Sequence, residues 1–398
     1  MRVVLVANFD SGLKYVGRLA EAVAALGAEP DIRVPTTGLP HKLGAGQVAA
    51  ATSRPITYEP WDEIVRAAAG SDIVVPVFEG PAVERFIRQV HAEAGPRMPV
   101  VGTGYVGMVL YDVVGGYLSR SLADVVAVNS RSDLAEFTGA VRGLGLPEGN
   151  LLLTGLALLP AATAPLRTGP IRTLLFADQP TVPRRVADRT YLWDRLLGYA
   201  RRHPDRQVLL RPRHRPGEET FHTMQHSPVA WAATRTLPSN LLIEHAPIDT
   251  LIPRSDLLLT VSSTAALEAV AAGTRVAFVA DWVGDAALNP RLLPSGLLRR
   301  FDDIEADRIG TPDPGWLDDV FPAAEGASPA HRFVARLIEI AAGDAPRVHQ
   351  AMWDSSFHAG RRATDAAIAG GATAPTSRYT PKRIAAGALR RALKLVER

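Results

Sequence analysis

The apolar positions of this chain fall in short runs separated by stretches of helical periodicity. Val3 to Ala7, Ile73 to Phe78, Pro99 to Gly102, Asp124 to Asn129 and Leu151 to Leu153 read as strands. Gly17 to Leu26, Pro81 to Ala92 and Ser132 to Leu144 read as helices. Residues 160–170, rich in Pro, Ala and Thr, have the composition of a linker. The alternation then restarts with a strand at Ile171 to Phe176, a helix at Tyr191 to Arg202, and strands at Gln207 to Leu210 and Leu241 to Glu244. The clearest unit follows. Leu257 to Val261, apolar but for Thr260, is a strand, Ser262-Ser263-Thr264 opens a helix that stops near Gly273, and Arg275 to Val279 is the next strand.

Uninterrupted apolar strands suit a parallel sheet covered on both faces, and their alternation with helices implies βαβ units. The predicted fold is therefore α/β, with two Rossmann-like doubly wound domains facing across a cleft. The first spans 1–160 and the second 171–345. A helical segment, 346–368, is expected to return to the first domain, and 369–398 reads as a flexible tether and a basic amphipathic helix. Ligands of such sheets bind outside the carboxyl ends of the strands, so the loops after strands hold the candidate chemistry.

Composition narrows the possibilities. The 398 residues suit two domains, each with its own core. The absence of cysteine excludes disulfides, zinc–thiolate sites and a cysteine nucleophile. No apolar run approaches the roughly 18 residues that span a bilayer. The N-terminus leads straight into a strand-like run rather than a signal peptide, so a cytoplasmic location is expected. The net charge of +3 gives no reason to expect nucleic acid as a partner. Basic residues cluster at 206–215 and 382–398. The second cluster shares a helix with Ile384, Leu389, Leu395 and Val396. Such a helix over 381–398 can lie on an anionic membrane surface, making the protein peripheral to the inner face of the membrane, or pack on the body with its basic face solvated.

Three loops carry candidate chemistry. Ser262, Ser263 and Thr264 offer hydroxyls at a helix start, where free N–H groups and the helix dipole favour a phosphate; the alternative is an ordinary serine N-cap. Arg211-Pro212-Arg213-His214-Arg215 follows a buried strand. Arg211 and Arg213 can grip phosphate oxygens, with charge-assisted bonds worth about 1.5–3 kcal/mol each, and His214 can donate to a phosphate or protonate a leaving group; the alternative is a solvated charge run. Asp10, in the loop after the first strand, can act as a general base, or can simply cap a helix. Glu79 ends another strand and competes for the role of base, and Asp112 is a weaker candidate.

Gly102-Thr103-Gly104-Tyr105-Val106-Gly107 matches the dinucleotide fingerprint in spacing. However, the next strand ends at Asn129, where an acidic ribose ligand is expected. No nicotinamide or flavin is therefore expected. The chain contains no Asp-x-Asp diphosphate clamp, Walker loop, His-Glu-x-x-His or Gly-x-Ser-x-Gly. No metal and no cofactor are expected.

The segment Ser262-Ser263-Thr264-Ala265-Ala266-Leu267-Glu268-Ala269, with Gly273, resembles the donor-binding segment of GT-B glycosyltransferases. The resemblance is to bacterial sialyltransferase, capsule polysaccharide transferase and glycerophosphotransferase relatives, in which paired serines and a His-Pro motif grip donor phosphates. Here the latter reads His214-Arg215-Pro216, with one residue inserted. Of the acid-acid-Gly motif that holds the base in bacterial sialyltransferases, Glu79-Gly80 is present, preceded by Phe78. Residues 1–360 also look like a group of glycosyltransferases from high-GC bacteria, through Ala7 to Lys14, Gly102 to Tyr105, and Asn289 through Leu297. The resemblance implies that Ser262, Ser263 and His214 hold the donor phosphate and Glu268 the ribose.

The expected activity is a metal-independent, inverting transfer of a sugar or polyol phosphate. The donor is nucleotide-activated. The acceptor is a hydroxyl of a cell-surface glycan or lipid-linked sugar. Asp10 or Glu79 serves as base. Two alternatives stand beside it: a sugar-nucleotide epimerase or hydrolase on the same scaffold, and a non-catalytic nucleotide-binding protein of envelope assembly.

Overall fold

The computed structural model describes residues 1–39, 43–108, 113–180, 182–213, 215, 226–281, 290–322 and 326–369. Asp112, His214 and the basic segment 381–398 lie outside the described residues. Seven strands build a first parallel sheet: β1 (Arg2–Ala7), β2 (Glu29–Pro35), β3 (Ile56–Glu59), β4 (Ile73–Val77), β5 (Val100–Thr103), β6 (Val125–Val128) and β7 (Leu151–Leu153). Their spatial order is β3-β2-β1-β4-β5-β6-β7. Six more build a second: β8 (Thr173–Ala177), β9 (Gln207–Arg211), β10 (Leu241–Ile243), β11 (Leu257–Thr260), β12 (Arg275–Val279) and β13 (Leu298–Arg299). Their order is β10-β9-β8-β11-β12-β13. In each sheet the order reverses once, between β1 and β4 and between β8 and β11. These are the switch points at which doubly wound sheets bind ligands.

Alternation along each central strand builds two cores per sheet. Val4 and Val6 of β1 pack with Trp61, Ile64 and Phe86 on one face. Val3, Leu5 and Ala7 pack with Leu13, Val16 and Leu19 on the other. In β11, Leu258 joins one cluster and Leu257 and Leu259 the opposite one. This is period-two geometry with both faces covered, as the uninterrupted apolar runs require. The segment between the sheets is fastened to the second: Ala164 N–H donates to the Ala271 carbonyl (2.8 Å) and Arg167 N–H to that of Gly273 (2.7 Å). Gly273 has φ of +72°, and a Cβ there would lie 2.2 Å from the Pro165 carbonyl oxygen, so this turn admits only glycine.

The chain returns to the first sheet with the helix Pro329–Ala342. Its N-cap Ser328 accepts from His331 N–H, and its C-cap Gly343 is left-handed. Phe333 and Leu337 press so close to β5 that a Cβ on Gly102 would come within 2.8 Å of both. The helices His349–Asp354 and Ser356–Ala369 follow. Asp124, at the entry to β6, ties this return down by accepting from Arg347 (3.0 Å) and from the Val348 and His349 amides (3.2 and 3.1 Å).

His358 is fully buried in this packing, 2.8 Å from the Ser121 hydroxyl. Ser121 donates to the Leu118 carbonyl, so His358 Nε2 is the donor. Burial, then the charges of Arg361, Arg88 and Arg362, push its pKa from 6.5 down to about 3. The folded chain holds this imidazole neutral, while the unfolded chain protonates it below pH 6.5. Folding stability is therefore lost as pH falls from 6.5 toward 3, by about 2 kcal/mol at pH 5. Buried Asp133 and Asp178, each raised to about 6, act in the opposite sense. The comparison that isolates the histidine is thus wild type against His358→Gln. Between pH 7.5 and 5, the Tm of wild type should fall more than that of the variant. Equal falls would remove His358 as the cause.

Candidate active site

The carboxyl ends of the two sheets face each other, and the loops after their central strands meet. Asp10 follows β1. It is the first residue of the helix Asp10–Ala25, whose N-cap is Phe9. Asp10 is therefore not the helix cap, and its carboxylate, beside the positive end of a long helix, points across the cleft. Arg213, beyond β9, donates to it at 2.7 Å. The two side chains are about a quarter exposed, at 21% and 29%.

Arg211 ends β9 beside Arg213. Its Nε–H reaches the Ala246 carbonyl at 3.4 Å. Burial and the neighbouring Arg213 charge depress its pKa to about 10, with Asp10, Glu268 and Asp249 only partly offsetting them. Two half-buried guanidinium groups side by side, of which only Arg213 has a carboxylate within ion-pair distance among the described residues, form a site suited to an anion. Glu268 lies on the helix Ala265–Ala271 and belongs to the same field. Burial raises its pKa, while Lys14 and Arg18 from the first sheet's helix and Arg213 lower it.

Ser262 is buried after β11 and held by Gln179, which follows β8 across the switch point. The Ser262 amide donates to Gln179 Oε1 (2.8 Å), and Gln179 Nε2 donates to the Ser262 hydroxyl oxygen (3.3 Å). Gln179 is itself anchored, because Arg189 donates to its carbonyl and to buried Asp178 (2.9 Å). Ser263 Oγ accepts from the Ala265 amide (3.2 Å). Part of the donor capacity that the hydroxyl-rich turn offers on paper is thus already engaged, and what remains for a ligand includes the Ser262 O–H. Thr264 faces the first sheet, where a Cβ on Gly107 would come within 2.9 Å of its Oγ1.

That contact explains the Gly-x-Gly-x-x-Gly match. Gly102 makes room for Phe333 and Leu337, Gly104 for the Tyr15 hydroxyl, and Gly107 for Thr264. Asn129 donates to the Tyr105 and Gly107 carbonyls (3.1 and 2.8 Å), and Arg120 to that of Gly104 (3.1 Å). The glycines serve close packing.

Glu79 is the exposed N-cap residue of the helix Gly80–Ala94, after β4. At the far end of the cleft, Asp319 accepts from the Ser132 amide and hydroxyl (2.7 and 2.8 Å). Arg291 there pairs with Asp133 (3.0 Å) and Glu136 (2.7 Å). Among the described residues no cluster of three or more His, Asp or Glu could hold a metal ion, and no helix is long and apolar enough to cross a membrane.

A family model described as "Putative glycosyltransferase (DUF6716)" matches residues 3–337. The chain belongs to this family. It is therefore an enzyme of glycosyltransferase type, and its two facing sheets are the GT-B arrangement. No curated protein matches it. Among solved structures it is similar to a UDP-N-acetylglucosamine 2-epimerase from Listeria monocytogenes, with a TM-score of 0.56 at 12% identity over 87% of this chain and 98% of that one. A UDP-GlcNAc 2-epimerase from Methanocaldococcus jannaschii, crystallised with UDP-GlcNAc and UDP, gives 0.53 at 11% identity over 85% and 99%. MurG of Acinetobacter baumannii gives 0.43 at 12% identity over 89% and 95%. At these identities the likeness is one of fold.

In this glycosyltransferase the structure brings Asp10, Arg211, Arg213 and Glu268 into one charged field, with Thr264 against the loop at Gly107. Sequence reasoning missed Gln179, Asp178 and Arg189. The available signal was that Asp178-Gln179 directly follows a central strand, at the switch point.

Proposed function

We propose that this glycosyltransferase moves a sugar, or a polyol phosphate, from a nucleotide-activated donor to a hydroxyl acceptor, without a metal and with inversion. The observation that carries this reading is the pair Arg211 and Arg213, opposite Asp10 across the cleft. The arginines bind the donor phosphates and stabilise the charge that develops as the bond from the anomeric carbon to the phosphate oxygen breaks. Ser262 and Ser263 support the phosphates, Glu268 holds the ribose, and Thr264 closes the turn against the first sheet. With a sugar donor, Asp10 takes the proton of the acceptor hydroxyl as its oxygen attacks the anomeric carbon, and the nucleotide leaves as the glycosidic bond forms; with a polyol phosphate donor the same oxygen attacks the phosphorus, and the nucleoside monophosphate leaves as the phosphodiester forms. The second sheet serves the donor and the first the acceptor, a glycan or lipid-linked sugar of the cell surface. The chain acts in the cytoplasm, and residues 381–398 bring it to the inner face of the membrane.

The test is a panel of CMP-, UDP-, GDP- and dTDP-sugars followed by proton NMR, with and without a glycan acceptor array. One donor should release its nucleotide with inversion at the anomeric carbon, faster when acceptor is present. Interconversion of the nucleotide sugar at another carbon, without release, would instead establish an epimerase on the same scaffold.

A further inference from the structure

The Ser262 hydroxyl is set as a donor by a side chain on the far side of the second sheet's switch point. Gln179 follows β8 and Ser262 follows β11. A backbone N–H can only donate, so the amide atom facing the Ser262 N–H at 2.8 Å is Oε1. The other amide atom is then Nε2, which can only donate, and it lies 3.3 Å from Ser262 Oγ. The hydroxyl oxygen accepts there, and its own proton points elsewhere. Ser121 and Ser255, also buried, give their protons to the Leu118 and Leu251 carbonyls (2.8 and 2.9 Å). Among the described residues Ser262 Oγ has no partner but Gln179, although the residue is only 6% exposed. A buried O–H without an acceptor is costly unless a ligand supplies one.

The register places that proton beside the proposed donor site. Ala177 of β8 pairs with Arg211 of β9, and the Thr260 hydroxyl at the end of β11 donates to the Ala177 carbonyl (3.0 Å). Gln179 and Ser262 therefore stand two residues beyond the level of Arg211, at the carboxyl end where such a sheet binds ligands. We infer that Gln179 is a positioning residue for the donor: by donating to the Ser262 oxygen, it commits the Ser262 proton to an oxygen of the donor phosphate. The Gln179 backbone is itself held, because Arg189 donates to its carbonyl. A hydroxyl fixed in this way serves a ligand oxygen that accepts, and not a ligand group that donates. The inference rests on the reading of the cleft as a donor-phosphate site.

Inorganic pyrophosphate is the probe, titrated calorimetrically into wild type, Ser262→Ala, Gln179→Ala, Gln179→Glu and the two double variants. Ser262→Ala should bind about tenfold more weakly than wild type. Gln179→Ala frees the hydroxyl to turn, and should weaken binding about threefold in wild type and not at all in the Ser262→Ala background. Gln179→Glu puts a carboxylate oxygen where Nε2 stood, so the Ser262 hydroxyl donates to it and its proton is lost to the ligand. The loss in wild type then combines this reversal with the added charge. In the Ser262→Ala background only the charge acts, and the loss should be about tenfold smaller. A residue that merely supports the turn, or that touches the phosphate itself, costs the same in both backgrounds. Equal losses in the two backgrounds therefore overturn the inference, as does an unchanged affinity in Ser262→Ala; in both cases the arginine site stands. Binding to none of the proteins, wild type included, overturns the donor-phosphate reading and the inference with it.

Discussion

Asp10→Asn should lower the rate of sugar transfer by about 10²–10⁴-fold, the usual contribution of a positioned general base. The reason is geometric before it is electrostatic. Asp10 is the first residue of a helix that packs Leu13, Val16, Leu19 and Val23 into the first core, so its backbone is fixed. Its carboxylate accepts from Arg213, one of the two arginines of the proposed donor site. Asparagine keeps the shape and removes the proton acceptor. The loss should fall on kcat, with nucleotide affinity retained or improved, as measured by initial rates against donor concentration. Turnover within twofold of wild type would remove Asp10 from the chemistry. Glu79→Gln would then be the next variant to measure.

The second large effect is on stability. Asp178→Ala should cost about 3–5 kcal/mol in denaturant unfolding, because it strands a buried cation. The Asp178 and Arg189 side chains are only 2% and 3% exposed. Asp178 also accepts from the Trp193 indole N–H at 3.2 Å. Burial raises the Asp178 pKa to about 6 even with Arg189 beside it, so desolvation outweighs the attraction at this site. Deleting the carboxylate leaves the Arg189 guanidinium without its counter-charge and the Trp193 indole N–H without its acceptor, in a core that includes Phe176 and Leu196. Asp178→Asn keeps an acceptor oxygen for only one of the two donors, which use different carboxylate oxygens, and should cost less than alanine. A loss below about 1 kcal/mol for the alanine variant would mean that water or a neighbour replaces the carboxylate. Arg189 also holds the Gln179 carbonyl, and Gln179 holds Ser262, so the same variant should loosen the turn at the start of the Ala265–Ala271 helix.

The central strands were legible because burial on both faces leaves an uninterrupted apolar run. β1, β4, β6, β11 and β12 all stand within a residue or so of where the pattern puts them. β2 and β3 were not. Glu29-Pro30-Asp31-Ile32-Arg33-Val34-Pro35 carries two prolines and three charges, yet it is a strand because Asp31 and Arg33 pair laterally with each other, and with Arg2 and Glu59. The first helix starts at Asp10 rather than Gly17. Gly12 lies inside this helix and accommodates the Phe9 ring, which a Cβ would approach to 3.0 Å. At the site, residues that follow strands were legible because parallel topology sends them to the cleft. Gln179 was not: a lone amide has no pattern, and its partner Ser262 is 83 positions away. The closeness of Asp10 to Arg213, 203 positions apart, likewise exists only in the folded chain.

The central claim is that the cleft arginines hold the phosphates of a nucleotide donor. Calorimetric titration of CMP, CDP, UDP, GDP and dTDP into wild type and Arg211→Gln tests it most directly. One nucleotide should bind wild type and bind Arg211→Gln about 10- to 100-fold more weakly, as the loss of a charge-assisted phosphate contact requires. Binding of no nucleotide, or of one with the same affinity in both proteins, would contradict the account.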